Sequence, residues 1–119
     1  MRTLGHMLVL NRFTVPPDTQ DDFAARAHAA LDALARSNGY RSGKLTRAIE
    51  DPEHWILVTE WESVGAYRRA LGGFDVKVHA TPLLAQALDE PSAFETLAEA
   101  APGEPVVVSA SDRAADPWR

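Results

Sequence analysis

Two stretches of the chain carry dense runs of apolar residues, and both predict β-strands. Positions 4–15 place apolar side chains on both faces of an extended segment, and positions 55–59, WILVT, do the same with little alternation. Such runs are typical of strands in a sheet that is covered on both faces. Two further strands are predicted, a polar and alternating edge strand over 40–49 and a short strand over 91–97.

Helical spacing of apolar residues follows the first strand. The segment between Pro17 and Ser37 has an alanine-rich apolar stripe of the kind that lies close against a sheet. Ser37-Asn38-Gly39 ends it, and either Asn38 or Gly39 suits the left-handed conformation that ends many helices. The stripe consists of Phe23, Ala27, Ala30, Leu31 and Leu34.

A second helical block follows the third strand. Ser63 is a good N-cap, and Gly72-Gly73 would close the short helix that it starts. A further helix is predicted over 74–88, with a break or kink at Pro82. Its candidates for burial are Phe74, Val78, Leu83, Leu84 and Leu88.

The order of these elements is β-α-β-β-α-β, which predicts an α+β, ferredoxin-like domain with an antiparallel sheet over residues 1–97. Its helices would cover one face of the sheet and leave apolar side chains on the other. A second copy packed sheet on sheet would cover that face, so we expect a homodimer.

Residues 98–119 differ in composition, since Ala, Pro, Gly and acidic residues dominate. We expect a C-terminal tail. It is either disordered, or its segment Val106–Ser109 adds a strand to an exposed sheet edge, including that of a partner subunit.

Composition and charge narrow the classes of function. The chain has 119 residues, enough for one domain, and its net charge of -5 with scattered basic residues argues against a nucleic-acid partner. The absence of cysteine excludes disulfides, thiol nucleophiles and cysteine-based zinc sites. No stretch approaches the ~20 apolar residues of a membrane span. We therefore expect a cytoplasmic protein with no membrane partner.

A short motif adds a family resemblance. Trp61-Glu62-Ser63 followed by Ala66-Tyr67 resembles the W-E-S-x-x-A-[YF] signature of the antibiotic biosynthesis monooxygenase superfamily, and the resemblance covers roughly residues 4–97. It implies a ferredoxin-like fold that pairs as a dimeric α+β barrel.

The polyketide-oxidising branch of that superfamily implies one function. Its members oxidise phenolic aromatic substrates with dioxygen and use no flavin, metal or haem. By this resemblance the chain would be a cofactor-independent monooxygenase acting on a small aromatic molecule. An asparagine of that branch is replaced here by Leu57, and Asn11 would supply a substitute amide from the neighbouring strand. The catalytic candidates are His79, Asn11 and Tyr67, and the substrate-binding candidates are Trp61, Phe74 and Leu57.

Two alternatives remain open. In the haem-degrading branch a histidine matching His79 ligates haem iron and an asparagine matching Asn11 lies near the reacting edge, but the branch's tryptophan on the second helix is Ala70 here. The other alternative is a non-catalytic dimeric barrel that binds a small ligand. Both oxygenase hypotheses predict an aromatic-walled hollow under the helices, bounded by Trp61 and His79.

Overall fold

The computed structural model describes residues 6–111, and its elements confirm the predicted order. Four strands form one antiparallel sheet in the order β2-β3-β1-β4, so β2 is an edge strand as expected. The main elements are β1 (Met7–Thr14), α1 (Gln20–Ala35), β2 (Tyr40–Arg47), β3 (His54–Trp61), α2 (Val64–Leu71), α3 (Phe74–His79), α4 (Thr81–Leu84) and β4 (Ala93–Glu95).

Burial follows a period of two along β3 and, except at Asn11, along β1, although the apolar runs of their sequences alternate little. On β3 every second residue is buried and the residues between them are half-buried. The buried positions are Trp55, Leu57, Thr59 and Trp61, and the register pairs them with Phe13, Asn11, Val9 and Met7 of β1. Both faces carry apolar side chains, but in one chain only one face is covered fully. The sequence pattern therefore concealed a period of two.

The helix α1 packs on the covered face of the sheet through a stripe rich in alanine, as predicted. Its buried residues are Phe23, Ala27, Ala30, Ala33 and Leu34. The ring of Phe23 lies edge-on to Phe13 and to Trp55, with centroids 5.0 and 5.4 Å apart, so the stripe joins the two central strands in one core.

The segment after α2 forms two short helices, and the prediction of which side chains it buries was partly wrong. Phe74 is 80% exposed and Val78 is 48% exposed, whereas Val76, Ala80 and Leu83 are buried. The predicted single helix is interrupted at Ala80, between α3 and α4, and Pro82 lies in the first turn of α4. The residues that face the core are therefore those at positions 76, 80 and 83, which are spaced by four and three. Positions 74 and 78 face away from it.

Two local signals are confirmed where α2 approaches the end of α1. The hydroxyl of Ser63 accepts a hydrogen bond from the N–H of Ala66 at 3.1 Å, which caps α2. Gly39 has a φ of 88° after α1. A Cβ at this glycine would lie 2.4 Å from the Cβ of Ala66, so the close approach requires the absence of a side chain.

The described part of the tail forms a small separate ribbon. Strand β5 (Ala98–Glu99) pairs antiparallel with β6 (Val107–Val108), and the N–H of Ser109 donates to the carbonyl of Leu97 at 2.8 Å. The predicted strand at Val106–Ser109 thus pairs within the tail of its own chain. Exchange of this strand with a partner, and the homodimer itself, stay predictions, and the remaining tail positions 112–119 lie outside the described residues.

Candidate functional site

A cleft of about 650 Å³ opens between α2 and the β4 side of the sheet. This volume lies within the range of about 300–1,000 Å³ that is usual for small-molecule sites. Met7 contributes from β1 and Ala110 from the tail, so the cleft has walls from four parts of the chain. The other lining residues are Val64, Tyr67, Arg68 and Leu71 of α2 and positions 93–96.

The strand register explains the position of the cleft. Met7 lies opposite Trp61 on one side and opposite Glu95 on the other, so these three residues form a row across β3, β1 and β4. Side chains at paired antiparallel positions point to the same face of a sheet. Tyr67 of α2 packs on the Trp61 end of this row, and the cleft opens toward its Glu95 end.

Tyr67 is the predicted site residue that reaches the cleft. Its ring lies 5.3 Å from the Trp61 ring, centroid to centroid. With Leu71 it also lines a second cleft of about 360 Å³ next to α4. Burial raises the pKa of the Tyr67 phenol above its usual value. The hydroxyl is therefore protonated at neutral pH and is a competent hydrogen-bond donor.

Trp61 is a support for Tyr67 and not a wall of the cleft. The indole has no exposed surface, because the rings of Tyr40 and Tyr67 pack against it with centroids 5.4 and 5.3 Å away. Its N–H donates to the hydroxyl of Thr59 at 2.8 Å and is not directed at a ligand. The expected hollow bounded by Trp61 and His79 is therefore wrong, because Trp61 is fully buried and His79 is an exposed residue that does not line the cleft.

The other predicted site residues lie away from the cleft in the single chain. Leu57 is 1% exposed in the core, and half-buried Asn11 is its register partner on β1. His79 is an exposed residue at the end of α3, and Phe74 is an exposed residue at its start. The structure thus brings Trp61 next to Tyr67 and Asn11 next to Leu57, and the functional roles assigned to these residues stay predictions.

Two charged residues of the cleft were missed by sequence reasoning. Arg68 follows Tyr67 on α2, and Glu95 lies in β4 opposite Met7. Arg68 lies four positions after Val64 and three before Leu71, so helical spacing from these apolar residues was a signal that the sequence did offer. Glu95 had no such signal, because the register of a three-residue strand does not follow from its own sequence.

Residues 6–111 offer neither a cluster of metal-binding side chains nor a membrane-spanning helix. This part of the chain has no group of three or more histidine or acidic side chains arranged to hold a metal ion. None of its helices combines the length and the apolar character needed to span a bilayer.

The fold and the cleft together define a small ferredoxin-like domain with room for one small molecule under α2. The chain belongs to the antibiotic biosynthesis monooxygenase family, whose model matches residues 7–80. This confirms the resemblance seen in the sequence.

Similar proteins include both kinds of oxygenase. A haem oxygenase (mycobilin-producing) from Mycobacterium tuberculosis is 32% identical over 75 residues, which are 60% of this chain and 68% of that protein. The structure of SnoaB, a cofactor-independent oxygenase from Streptomyces nogalater, superimposes with a TM-score of 0.60 and 25% identity over 84% of this chain and 99% of that one. The structure of Rv0793 from Mycobacterium tuberculosis has a TM-score of 0.66 and 20% identity over 82% of this chain and 100% of its own, which supports the fold.

Proposed function

We propose that the protein is a cofactor-independent monooxygenase that oxidises a phenolic aromatic small molecule with dioxygen in the cleft beside Tyr67. The observation that carries this proposal is the half-buried Tyr67 phenol in the wall of a largely apolar cleft of about 650 Å³. Burial raises the pKa of this phenol, which favours its hydrogen-bond-donating form. Membership of the monooxygenase family and the similarity to a cofactor-independent oxygenase support it.

The chemistry makes few demands on the protein. An ionised phenol or anthrone is electron-rich enough to reduce dioxygen. In the net reaction a ring CH₂ group becomes a carbonyl, one oxygen atom enters the product and the other leaves as water. The protein has to bind the flat ring, hold its oxygen and exclude bulk water.

Each of these tasks has a candidate in the cleft. Met7, Val64 and Leu71 offer apolar surface for a ring. The Tyr67 hydroxyl donates a hydrogen bond to the substrate oxygen, and Trp61 fixes the Tyr67 ring from behind. The proposal gives no step to His79 or Asn11, since neither residue lines this cleft.

Haem is the second candidate, because a relative that is 32% identical is named a haem oxygenase. The residues of the cleft fit it poorly. His79, the predicted iron ligand, is exposed at the end of α3 and is not among the lining residues. Tyr67 would have to bind iron as a phenolate, and its raised pKa disfavours that form. We therefore rank haem second.

Oxygen consumption with dithranol, a hydroxylated anthrone, tests the first proposal. We expect uptake above the buffer rate and a loss of about 10- to 100-fold in kcat/KM for Tyr67→Phe, which lacks one hydrogen-bond donor. Tyr40→Phe is the matched control, because Tyr40 packs on Trp61 at almost the same distance but does not line the cleft. Uptake equal to buffer across a panel of such phenols would favour a ligand-binding barrel without catalysis.

Titration with haemin tests the second candidate. We expect no sharp Soret band at one equivalent. A sharp stoichiometric band that disappears in His79→Ala would reverse the ranking of the two candidates.

A further inference from the structure

Two opposite charges line the cleft without a partner. Arg68 comes from α2 and Glu95 from β4, so they belong to opposite walls. Their side chains do not meet within ion-pair distance, and neither forms an ion pair or side-chain hydrogen bond with any residue in the range 6–111. Arg12 and Arg36 do have acidic partners, at Glu90 and at Asp32 and Asp75, whereas exposed Arg69 has none within the same range, like Arg68, which is also exposed. What distinguishes Arg68 from Arg69 is its place in the lining of the cleft.

The surroundings make the unpaired carboxylate of Glu95 notable. Glu95 is half-buried, and its register partner Met7 is fully buried on the same face of the sheet. A carboxylate next to apolar surface gains from a hydrogen-bond donor, because water reaches it incompletely. A donor on a bound ligand would satisfy it, and an anionic oxygen on the same ligand would satisfy Arg68 across the cleft.

We propose that the substrate is a hydroxyaryl compound held between these two charges, with Glu95 as the general base and Arg68 as the partner of the resulting anionic oxygen. This inference rests on the proposed function and its phenolic substrate class, and it adds two further residues of the site with their roles. Both residues would touch the substrate, so both count as catalytic.

The step balances without any further reactant. The carboxylate of Glu95 takes a proton from the ring CH₂ or hydroxyl of the substrate, so that bond breaks and a carboxyl O–H forms. The electron pair moves into the aromatic system and appears as negative charge on the substrate oxygen, next to the Arg68 guanidinium. Dioxygen then oxidises this anion, as in the proposed function, and Glu95 returns its proton to the oxygen atom that leaves as water.

The role of Arg68 as the partner of the anionic oxygen is tested with a ligand that the enzyme does not oxidise. 2-Hydroxyanthraquinone changes colour on ionisation, so its absorbance can be followed against pH when it is bound to excess protein. A cationic neighbour lowers the pKa of a bound acid by about one unit or more. We expect that shift in the wild type, its loss in Arg68→Met, and its retention in Arg69→Met, because Arg69 does not line the cleft. An unchanged shift in Arg68→Met would overturn the assignment.

A second probe shows whether Arg68→Met acts through the lost charge or through damage to the fold. 2-Methoxyanthraquinone has no ionisable oxygen and should bind the wild type and Arg68→Met within about threefold of each other. Loss of only the hydroxy probe supports the inference. Loss of both probes in Arg68→Met would assign Arg68 a structural role and overturn it.

The role of Glu95 as the general base is tested with the isosteric variant Glu95→Gln. We expect kcat for dithranol to fall about 100-fold or more, the usual contribution of a general base. The hydroxy probe should still bind and should ionise at lower pH than in the wild type, because a negative charge is gone. The control Glu104→Gln changes an exposed tail residue outside the cleft and should keep the wild-type kcat. An unchanged kcat in Glu95→Gln would overturn the role of Glu95.

The same experiments distinguish failure of the oxygenase proposal from failure of the roles given to Arg68 and Glu95. If the wild type shows no oxygen uptake but the probe shift still depends on Arg68, then the anion-binding part stands and the oxygenase proposal fails. If uptake is normal and neither variant has an effect, then the oxygenase proposal stands and this inference fails.

Discussion

The indole N–H of Trp61 donates a hydrogen bond to the hydroxyl of Thr59, two positions earlier on the same face of β3, at 2.8 Å. Both side chains are buried, with 0% and 2% of their surface exposed. Water therefore cannot replace the bond if it is lost. The pair holds the indole in place, and Tyr67 packs on that indole at the cleft.

We predict that Thr59→Val destabilises the fold by about 1–3 kcal/mol, because it leaves a buried N–H without an acceptor at nearly constant volume. Urea unfolding measures the change in free energy. In a Trp61→Phe background no indole N–H exists, so the same substitution should cost much less. An equal cost in both backgrounds would mean that the hydrogen bond is not the source of the effect.

A second prediction concerns the junction at Gly39. Alanine there combines a φ of 88° with a Cβ placed 2.4 Å from the Cβ of Ala66, so we expect a loss of about 2–5 kcal/mol from backbone strain and overpacking. Gly103→Ala is the control. Its φ is 75°, but nothing lies within 4 Å of the added atom, so the expected loss is about 1–2 kcal/mol. Similar unfolding free energies for the two variants would show that the contact with Ala66 relaxes freely.

These local features mark how far the sequence could predict the fold. The cap at Ser63 and the glycine at position 39 depend on a few neighbouring residues, and both were predictable. The buried side of the segment after Gly73 was not, because the break at Ala80 sets it. The apolar pattern of that segment is consistent with several rotations about the helix axis, and only packing selects one.

The candidate site was predictable in part for a related reason. Tyr67 follows from the motif and from its helical position, and it does line the cleft. Trp61 was expected in the wall, but Tyr40 from another strand covers it, and that contact depends on the tertiary structure. Glu95 enters the cleft through the pairing of β4 with Met7. A three-residue strand contains too little pattern to specify that register.

Alkaline pH should reveal the burial of the Tyr67 phenol. Burial raises its pKa in the folded chain, so the unfolded chain loses the phenolic proton first as pH rises. The stabilising contribution is complete below the ordinary tyrosine pKa of about 10 and is lost as pH rises through the folded-state value. We expect the Tm of the wild type to fall more steeply above about pH 10 than that of Tyr67→Phe.

Tyr40 provides the comparison for this titration. Burial raises its pKa as well, so Tyr40→Phe should flatten the alkaline part of the Tm curve too, and the double variant should be flattest. Thermal scans between neutral and strongly alkaline pH measure all four proteins. Parallel curves for the wild type and Tyr67→Phe would contradict the assigned burial effect.

The face of the sheet opposite the helices leads to the last prediction. Leu10 and Val58 are register partners there, and both are half-buried in the single chain. Phe94, opposite Leu8, is 41% exposed on the same face. Apolar side chains spread over three strands favour cover by a second copy, so we predict a homodimer at micromolar concentration.

Val58→Glu tests this arrangement by light scattering. An unpaired carboxylate in the centre of an apolar interface costs on the order of 3 kcal/mol or more, so the dimer Kd should rise at least about 100-fold. Ile49→Glu is the control, because Ile49 is 97% exposed beyond the end of β2 and should leave the dimer intact. Circular dichroism checks that both variants fold. A monomeric wild type, or a Val58→Glu variant that stays folded and dimeric, would show that this face is not the interface and that the sheet tolerates its apolar side chains in water.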